Sequence, residues 1–322
     1  MSAADPARAT GPLNAARATG PLSDTDASRA AARSSADPAR AADPLSAADT
    51  ARAVERLRAA ESSGRPCAPV RDLLGVTDQD AAYAVQAAGI QARTAAGARR
   101  VGRKIGLTSK AVQSQFGVFS PDFGVLLDDM VYTDREPIPL DRFLQPRVEA
   151  EVAFVLGADL DSPTAHVADV LRATDFVLPA LEIVDSRIAD WDIKITDTIA
   201  DNASSGALVL GSTPRRVDAV DLPGMGMVLE HRGDVVSVGS GAACLGTPAA
   251  AVAWLARAVA RHGHPLRAGE VILSGALGPM VPVRGPGGYR ARLDGLGAVH
   301  AVFSGPDGPT AAFDSPQEGT RP

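Results

Sequence analysis

A helical first part followed by short β-branched runs broken at Gly and Pro predicts an α+β fold. Three observations carry it: helical periodicity between residue 49 and about 115, strand-like runs beyond 148, and one amphipathic helix that interrupts them. Asp49 or Thr50 caps a first helix bearing Val54 and Leu57, and Gly64 ends it. Thr77 followed three residues later by Asp80 resembles a capping box, and Tyr83, Gln86, Ala87 and Ile90 then share one face. A short helix is expected from 108 to about 115, stopping at Gly117. The runs 148–156, 207–210, 235–238, 271–274 and 298–303 read as strands. Between them Thr247 caps a helix, Pro248 takes its first position, and Val252, Leu255 and Val259 face the core before Gly263.

Composition divides the 322 residues before any chemistry is considered. Residues 1–50 hold 17 Ala and no Val, Ile, Phe, Tyr, Trp or Cys. Such a segment cannot bury enough apolar surface to offset its ordering entropy, so it reads as a disordered low-complexity leader. ARATGPL occurs twice within it, at 7–13 and 16–22, too short a unit to be a structural repeat. The folding unit is expected over 51–303, mainly helical to 117 and strand-rich from 118, with a flexible tail over 304–322. A net charge of -6 and a pI near 5.4 argue against nucleic-acid and anionic-membrane partners. No run of 18 apolar residues and no secretory h-region occurs, so a cytoplasmic protein is expected. Cys67 and Cys244 lack CxxC spacing, which argues against a disulfide framework or a zinc site.

The most informative stretch is QPRVEAEVAFVL, 145–156. On a strand, Val148, Ala150, Val152, Phe154 and Leu156 form one apolar face, and Glu149 and Glu151 project together from the other. Adjacent carboxylates repel unless they are solvated or share a cation. A third, Glu182, lies in the apolar stretch LPALEIVDSRI. Three carboxylates suit Mg²⁺ or Mn²⁺, which prefer oxygen ligands. Two readings stay open at this level: a metal site, or a solvated strand face with Glu182 paired to a neighbour such as Arg187. Asp192, Lys194 and Asp197 read as a solvated charged strip, and no histidine sits in an assignable motif.

Several motifs in one order resemble the 2-keto-4-pentenoate hydratase family of the fumarylacetoacetate hydrolase superfamily. They are GRKIGLTSKAVQ (102–113), PDFGVLLDDM (121–130), QPRVEAEVAFVL, ALEIVDSRIADW (180–191), DTIADNASSG (197–206) and GEVILSGALGPMVPV (269–283). The resemblance implies a mixed β-roll behind a helical N-terminal part, assembled as a homo-oligomer. It implies Mg²⁺ or Mn²⁺ held by Glu149, Glu151 and Glu182, with Lys104, Asp122 and Ser204 as catalytic residues. The implied reaction adds water to 2-hydroxypenta-2,4-dienoate, giving 4-hydroxy-2-oxopentanoate in aromatic meta-cleavage catabolism. A small oxo- or hydroxy-dienoic acid would be the substrate, and a pathway aldolase or decarboxylase a partner. The carbon–carbon hydrolases of the superfamily carry an upstream histidine base, and here no histidine precedes His166. A 2-oxo-3-hexenedioate (4-oxalocrotonate) decarboxylase or a 2-oxohept-4-ene-1,7-dioate hydratase is the alternative. The IADWDIKITDT segment favours the small monocarboxylate.

Overall fold

The computed structural model describes residues 45–109, 113, 118 and 120–305. Most of the expected leader, most of the helix expected over 108–115 and the tail beyond 305 lie outside the described residues. Helix α1 spans Ala47–Ser63, earlier than Asp49 or Thr50 predicted, because the Ser46 hydroxyl accepts from Asp49 N at 3.0 Å and caps it there. Gly64 ends it in a left-handed conformation, as expected. A single turn, α2 (Arg71–Leu74), precedes α3 (Gln79–Ala95). Asp78, not Thr77, caps α3 by accepting from Ala81 N. Val85 and Gln86 of α3 are buried, whereas Ala87 faces solvent.

Among the described residues thirteen strands follow, interrupted by three α-helices. In chain order they are β1 (Arg100–Gly106), β2 (Asp122–Leu127), β3 (Val131–Thr133), β4 (Pro137–Pro139) and β5 (Arg147–Leu156). After helix α4 (Val167–Ala173) come β6 (Thr174–Val184), helix α5 (Ile195–Ala200), β7 (Ser205–Leu210), β8 (Gly226–His231) and β9 (Asp234–Ser240). Helix α6 (Pro248–Arg261) leads to β10 (Val271–Leu273), β11 (Val281–Pro282), β12 (Gly287–Leu293) and β13 (Gly297–Ser304). All five expected runs are strands. The long strands that the patterns missed are β1, β2, β6, β8 and β12. Two have evident reasons: β6 carries Pro179 in mid-strand, and β1 carries two adjacent cations, Arg103 and Lys104.

The larger sheet runs β2-β1-β10-β5-β6-β7-β3, with β11 also pairing β5, and the smaller runs β4-β13-β12-β8-β9. Pairing is mixed: β1 with β10, β3 with β7 and β4 with β13 are parallel, and the other ladders antiparallel. Val148, Ala150, Val152 and Phe154 of β5 pack in one core with Leu181 and Ile183 of β6, Val299, Ala301 and Phe303 of β13, and Val252, Leu255 and Val259 of α6. Full burial of such side chains contributes about 1.5–3 kcal/mol each. The segment Gly241–Arg261 is long and apolar enough to cross a bilayer by composition, but its helix is a core element here. With the even-numbered face of β5 committed to this core, the odd-numbered face is left to carry Glu149 and Glu151.

The 192–197 segment corrects the sequence reading. Asp197 is fully buried rather than solvated. It accepts from Val70 N at 2.9 Å, Arg71 N at 2.8 Å, Lys194 N at 2.9 Å and Arg71 Nη1 at 2.6 Å. Asp192 pairs with the same arginine at 2.6 Å. Together they tie the first turn of α5 and the segment before it to the start of α2. Charge spacing alone could not reveal this, because the partner lies more than 120 residues away in sequence.

Candidate active site

The β5/β6 register places Glu149 directly opposite Glu182, and Glu151 opposite Ala180. All three carboxylates therefore share one face of the larger sheet, and all three are buried. Lys104 enters from β1, with its Nζ 3.1 Å from Glu182 Oε1 and donating to the Ala203 carbonyl at 2.8 Å. Glu182 is thus paired with Lys104, while Arg187 binds Asp201 instead. Asp122, buried on β2, accepts from the Thr198 hydroxyl at 3.2 Å through Oδ2. Gly106 faces it across the β1/β2 ladder, and a Cβ there would fall 2.2 Å from Asp122 Oδ1. Glycine at this position leaves the room that the carboxyl occupies.

Ser204 belongs to a strained turn. Asn202, Ala203 and Ser204 have φ of 53°, 52° and 53°, three consecutive left-handed non-glycine residues, each costing roughly 1–2 kcal/mol. The chain offsets this with side-chain bonds. Asn202 Oδ1 accepts from Val125 N at 2.8 Å and its Nδ2 donates to Val125 O at 2.9 Å, so the amide acts as a stretch of strand beside β2. Arg187 Nε meets Asp201 Oδ1 at 2.5 Å, and its Nη1 donates to Ser205 O at 2.9 Å. The turn aims the Ala203 carbonyl at Lys104 and sets the Ser204 hydroxyl 3.4 Å from Asp201 Oδ2.

The electrostatics are unbalanced. Glu149, Glu151, Glu182 and Asp122 are four buried carboxyl groups beside one buried cation, Lys104. Burial opposes the Lys104 charge, but Glu182, Asp122, Glu149 and Glu151 outweigh it and raise its pKa. Burial and then Glu182 push Glu149 up to about 7. Burial, Glu182 and Glu149 raise Glu151 far above its usual range, and burial raises Asp122 and Glu182 as well. Glu151 Oε2 accepts from Gly275 N at 2.7 Å, yet Glu151 Oε1 and Asp122 Oδ1 are buried with no hydrogen-bond partner, and Glu182 Oε1 meets the Lys104 ammonium. Among the described residues no three such side chains are drawn into a closed coordination shell. The donor set still fits a hard divalent cation: it is all oxygen, it carries excess negative charge, and Glu151 keeps an orphaned oxygen.

The cavity holding these groups is lined by Lys104, Asp122, Glu149, Glu182 and Ser204, and on its apolar side by Val184, Trp191, Ile193 and Met280. Of the six predicted site residues, five line it, and Glu151 lies beside them against Gly275. Among the described residues no histidine lines it; His262 packs against Tyr83, and His300 bonds Asp134. Sequence reasoning missed Thr198, Asp201, Asn202 and Trp191. All four lie inside the quoted motifs, so the motifs located them without revealing what they do.

Comparison with known proteins agrees with this geometry. The family described as fumarylacetoacetate (FAA) hydrolase C-terminal matches residues 92–303. The chain is 59% identical over 248 residues to the TodF product hydratase of Pseudomonas putida, covering 77% of this chain and 92% of that protein. It is 56% identical over 249 residues to a 2-keto-4-pentenoate hydratase of Paraburkholderia xenovorans, covering 77% and 93%. Among solved structures, the 4-oxalocrotonate decarboxylase of Pseudomonas putida G7, complexed with magnesium and adipate, superposes with a TM-score of 0.77 at 35% identity. That match covers 81% of this chain and 99% of the decarboxylase.

Proposed function

Because the chain belongs to the fumarylacetoacetate hydrolase family, among its 2-keto-4-pentenoate hydratases, and is therefore a hydro-lyase, we propose that it converts 2-hydroxypenta-2,4-dienoate and water to 4-hydroxy-2-oxopentanoate with Mg²⁺ or Mn²⁺. The observation that carries the metal and the site is the cluster of four buried carboxyl groups facing one lysine, with Glu151 Oε1 and Asp122 Oδ1 left unpaired. Glu149, Glu151 and Glu182 would hold the cation. When bound, it supplies Lewis acidity at the substrate's 2-oxygen, where negative charge develops.

The remaining steps belong to the protein's own groups. Lys104, kept charged by the surrounding carboxylates, neutralises the substrate carboxylate. Burial raises the Asp122 pKa, which suits it to carry a proton, and it presents the unpartnered Oδ1. It delivers that proton to C5 while the 2-hydroxyl proton leaves, converting the dienol to an enone whose C4 is electrophilic. Water then bonds to C4, giving up one proton while C3 gains one, so the balance is one dienol plus one water. Ser204, hydrogen-bonded toward Asp201, orients that water.

The test is loss of dienol absorbance by the full-length protein with Mn²⁺, with 4-hydroxy-2-oxopentanoate identified as product. Carbon dioxide release from 2-oxo-3-hexenedioate, with no hydration of the dienoate, would assign the site to the decarboxylase reaction instead.

A further inference from the structure

The charged floor of the cavity is matched to the oxygen-bearing end of a small acid, but its apolar side is built with equal care, and that side has no part in the chemistry above. Trp191 forms this wall with Val184, Ile193 and Met280. Its backbone is strained: Asp190 and Trp191 have φ of 59° and 55°, two successive left-handed non-glycine residues. Such a pair persists only where its surroundings over-determine it, and here they do. Gln145 Oε1 accepts from Asp190 N at 2.9 Å, and the Gln145 carbonyl accepts from the Trp191 indole N–H at 3.2 Å. The Gln145 amide also donates to the Ser186 and Ile188 carbonyls at 3.0 and 2.8 Å, so one side chain fixes the whole 186–191 loop.

Arg147 completes the support. Its guanidinium lies 4.3 Å from the Trp191 ring centroid, and its Nη1 contacts Met280 Sδ at 3.4 Å. Among the described residues it makes no ion pair, although it is half-buried and two residues before Glu149 on the same strand face. A desolvated guanidinium on an indole face is a strong cation–π arrangement and a stiff one. The same cation therefore backs both Trp191 and Met280.

We propose that Trp191, clamped by Gln145 and Arg147, sets the chain length of the 2-hydroxy-dienoate that the site accepts, with Arg147 acting as a positioning residue behind it. This rests on the hydratase reading. Once the carboxylate and 2-oxygen of the substrate are held at the charged floor, the hydrocarbon end turns to the apolar lining, of which Trp191 is the largest side chain. A rigid indole there excludes additional carbons by shape.

The experiment measures kcat and KM for 2-hydroxypenta-, 2-hydroxyhexa- and 2-hydroxyhepta-2,4-dienoate, using the full chain with Mn²⁺. Trp191→Leu is expected to raise the ratio of kcat/KM for the longer acids over the five-carbon acid by about tenfold or more, mostly through KM. Trp191→Phe, a milder change that guards against misfolding, should move it in the same direction by less. Arg147→Met should follow Trp191→Phe, and Arg147→Lys should restore the wild-type ratio by keeping the cation over the ring. An unmoved ratio in both Trp191 variants, with the thermal transition retained and the wild type active, overturns the inference alone. A wild type inactive on every dienoate overturns the hydratase reading and this inference with it.

Discussion

Two sets of buried carboxylates in this fold are treated in opposite ways. Asp197 is wholly buried and receives four hydrogen bonds, three from backbone N–H groups and one from the Arg71 guanidinium. Glu149, Glu151, Glu182 and Asp122 are buried too, yet Glu151 Oε1 and Asp122 Oδ1 have no donor and a single lysine faces all four. A carboxylate that holds the chain together draws its donors from the chain, whereas one kept for a ligand retains open lone pairs and tolerates like charges nearby. Burial alone therefore does not distinguish a structural acid from a functional one; the count of satisfied oxygens does.

The largest expected effect breaks the comparison on its functional side. Glu182→Gln or Glu149→Gln should lower the hydratase rate on the order of 10³-fold, with little change in the thermal transition measured without metal. An active Glu182→Gln enzyme would refute the ligand assignment. Asp197→Ala attacks the other side, leaving the Arg71 cation and three backbone amides short of an acceptor. A destabilisation of about 3 kcal/mol is expected by denaturant unfolding, with activity per folded molecule preserved.

Next comes the proton linkage at the cluster. Glu149 is raised from 4.5 to about 7, so the metal-free fold binds a proton there more tightly than the unfolded chain does. That contribution is fully present below pH 4.5 and lost as pH rises through about 7. A cation must displace this proton, so its apparent affinity should fall below pH 7, and the thermal shift with Mn²⁺ should grow between pH 5 and 8. A shift that shrinks with rising pH would contradict the assignment. The smallest effect is expected at Asn202→Gly, which relieves left-handed strain but loses both bonds to Val125. Stability should change by about 1 kcal/mol or less, and a fall in kcat rather than a rise in KM would show that the turn positions Lys104.

How much of this was legible in the sequence follows from where partners lie. The alternation in QPRVEAEVAFVL places Glu149 and Glu151 together because strand geometry is local. Glu182 stood out as a carboxylate in an apolar stretch, the motif resemblance added Lys104, Asp122 and Ser204, and the structure gathers all six around one cavity. The direct facing of Glu149 and Glu182 needs the β5/β6 register, which nothing local specifies. Asp197 was misread as solvated because its acceptors' partners come from α2, far away in sequence. Trp191 was quoted within a motif without a role, since its strained backbone and its support by Gln145 and Arg147 exist only after folding.

The unsatisfied cluster is expected to bind a divalent cation, and the fully bonded Asp197 is not. Calorimetric titration of Mn²⁺ into the metal-free full chain, beside Glu182→Gln and Asp197→Asn, tests it most directly. One ion bound per chain in the wild type and in Asp197→Asn, with proton release near pH 7 and binding lost in Glu182→Gln, is the predicted result. Absence of binding in the wild type, or equal binding in Glu182→Gln, would contradict it.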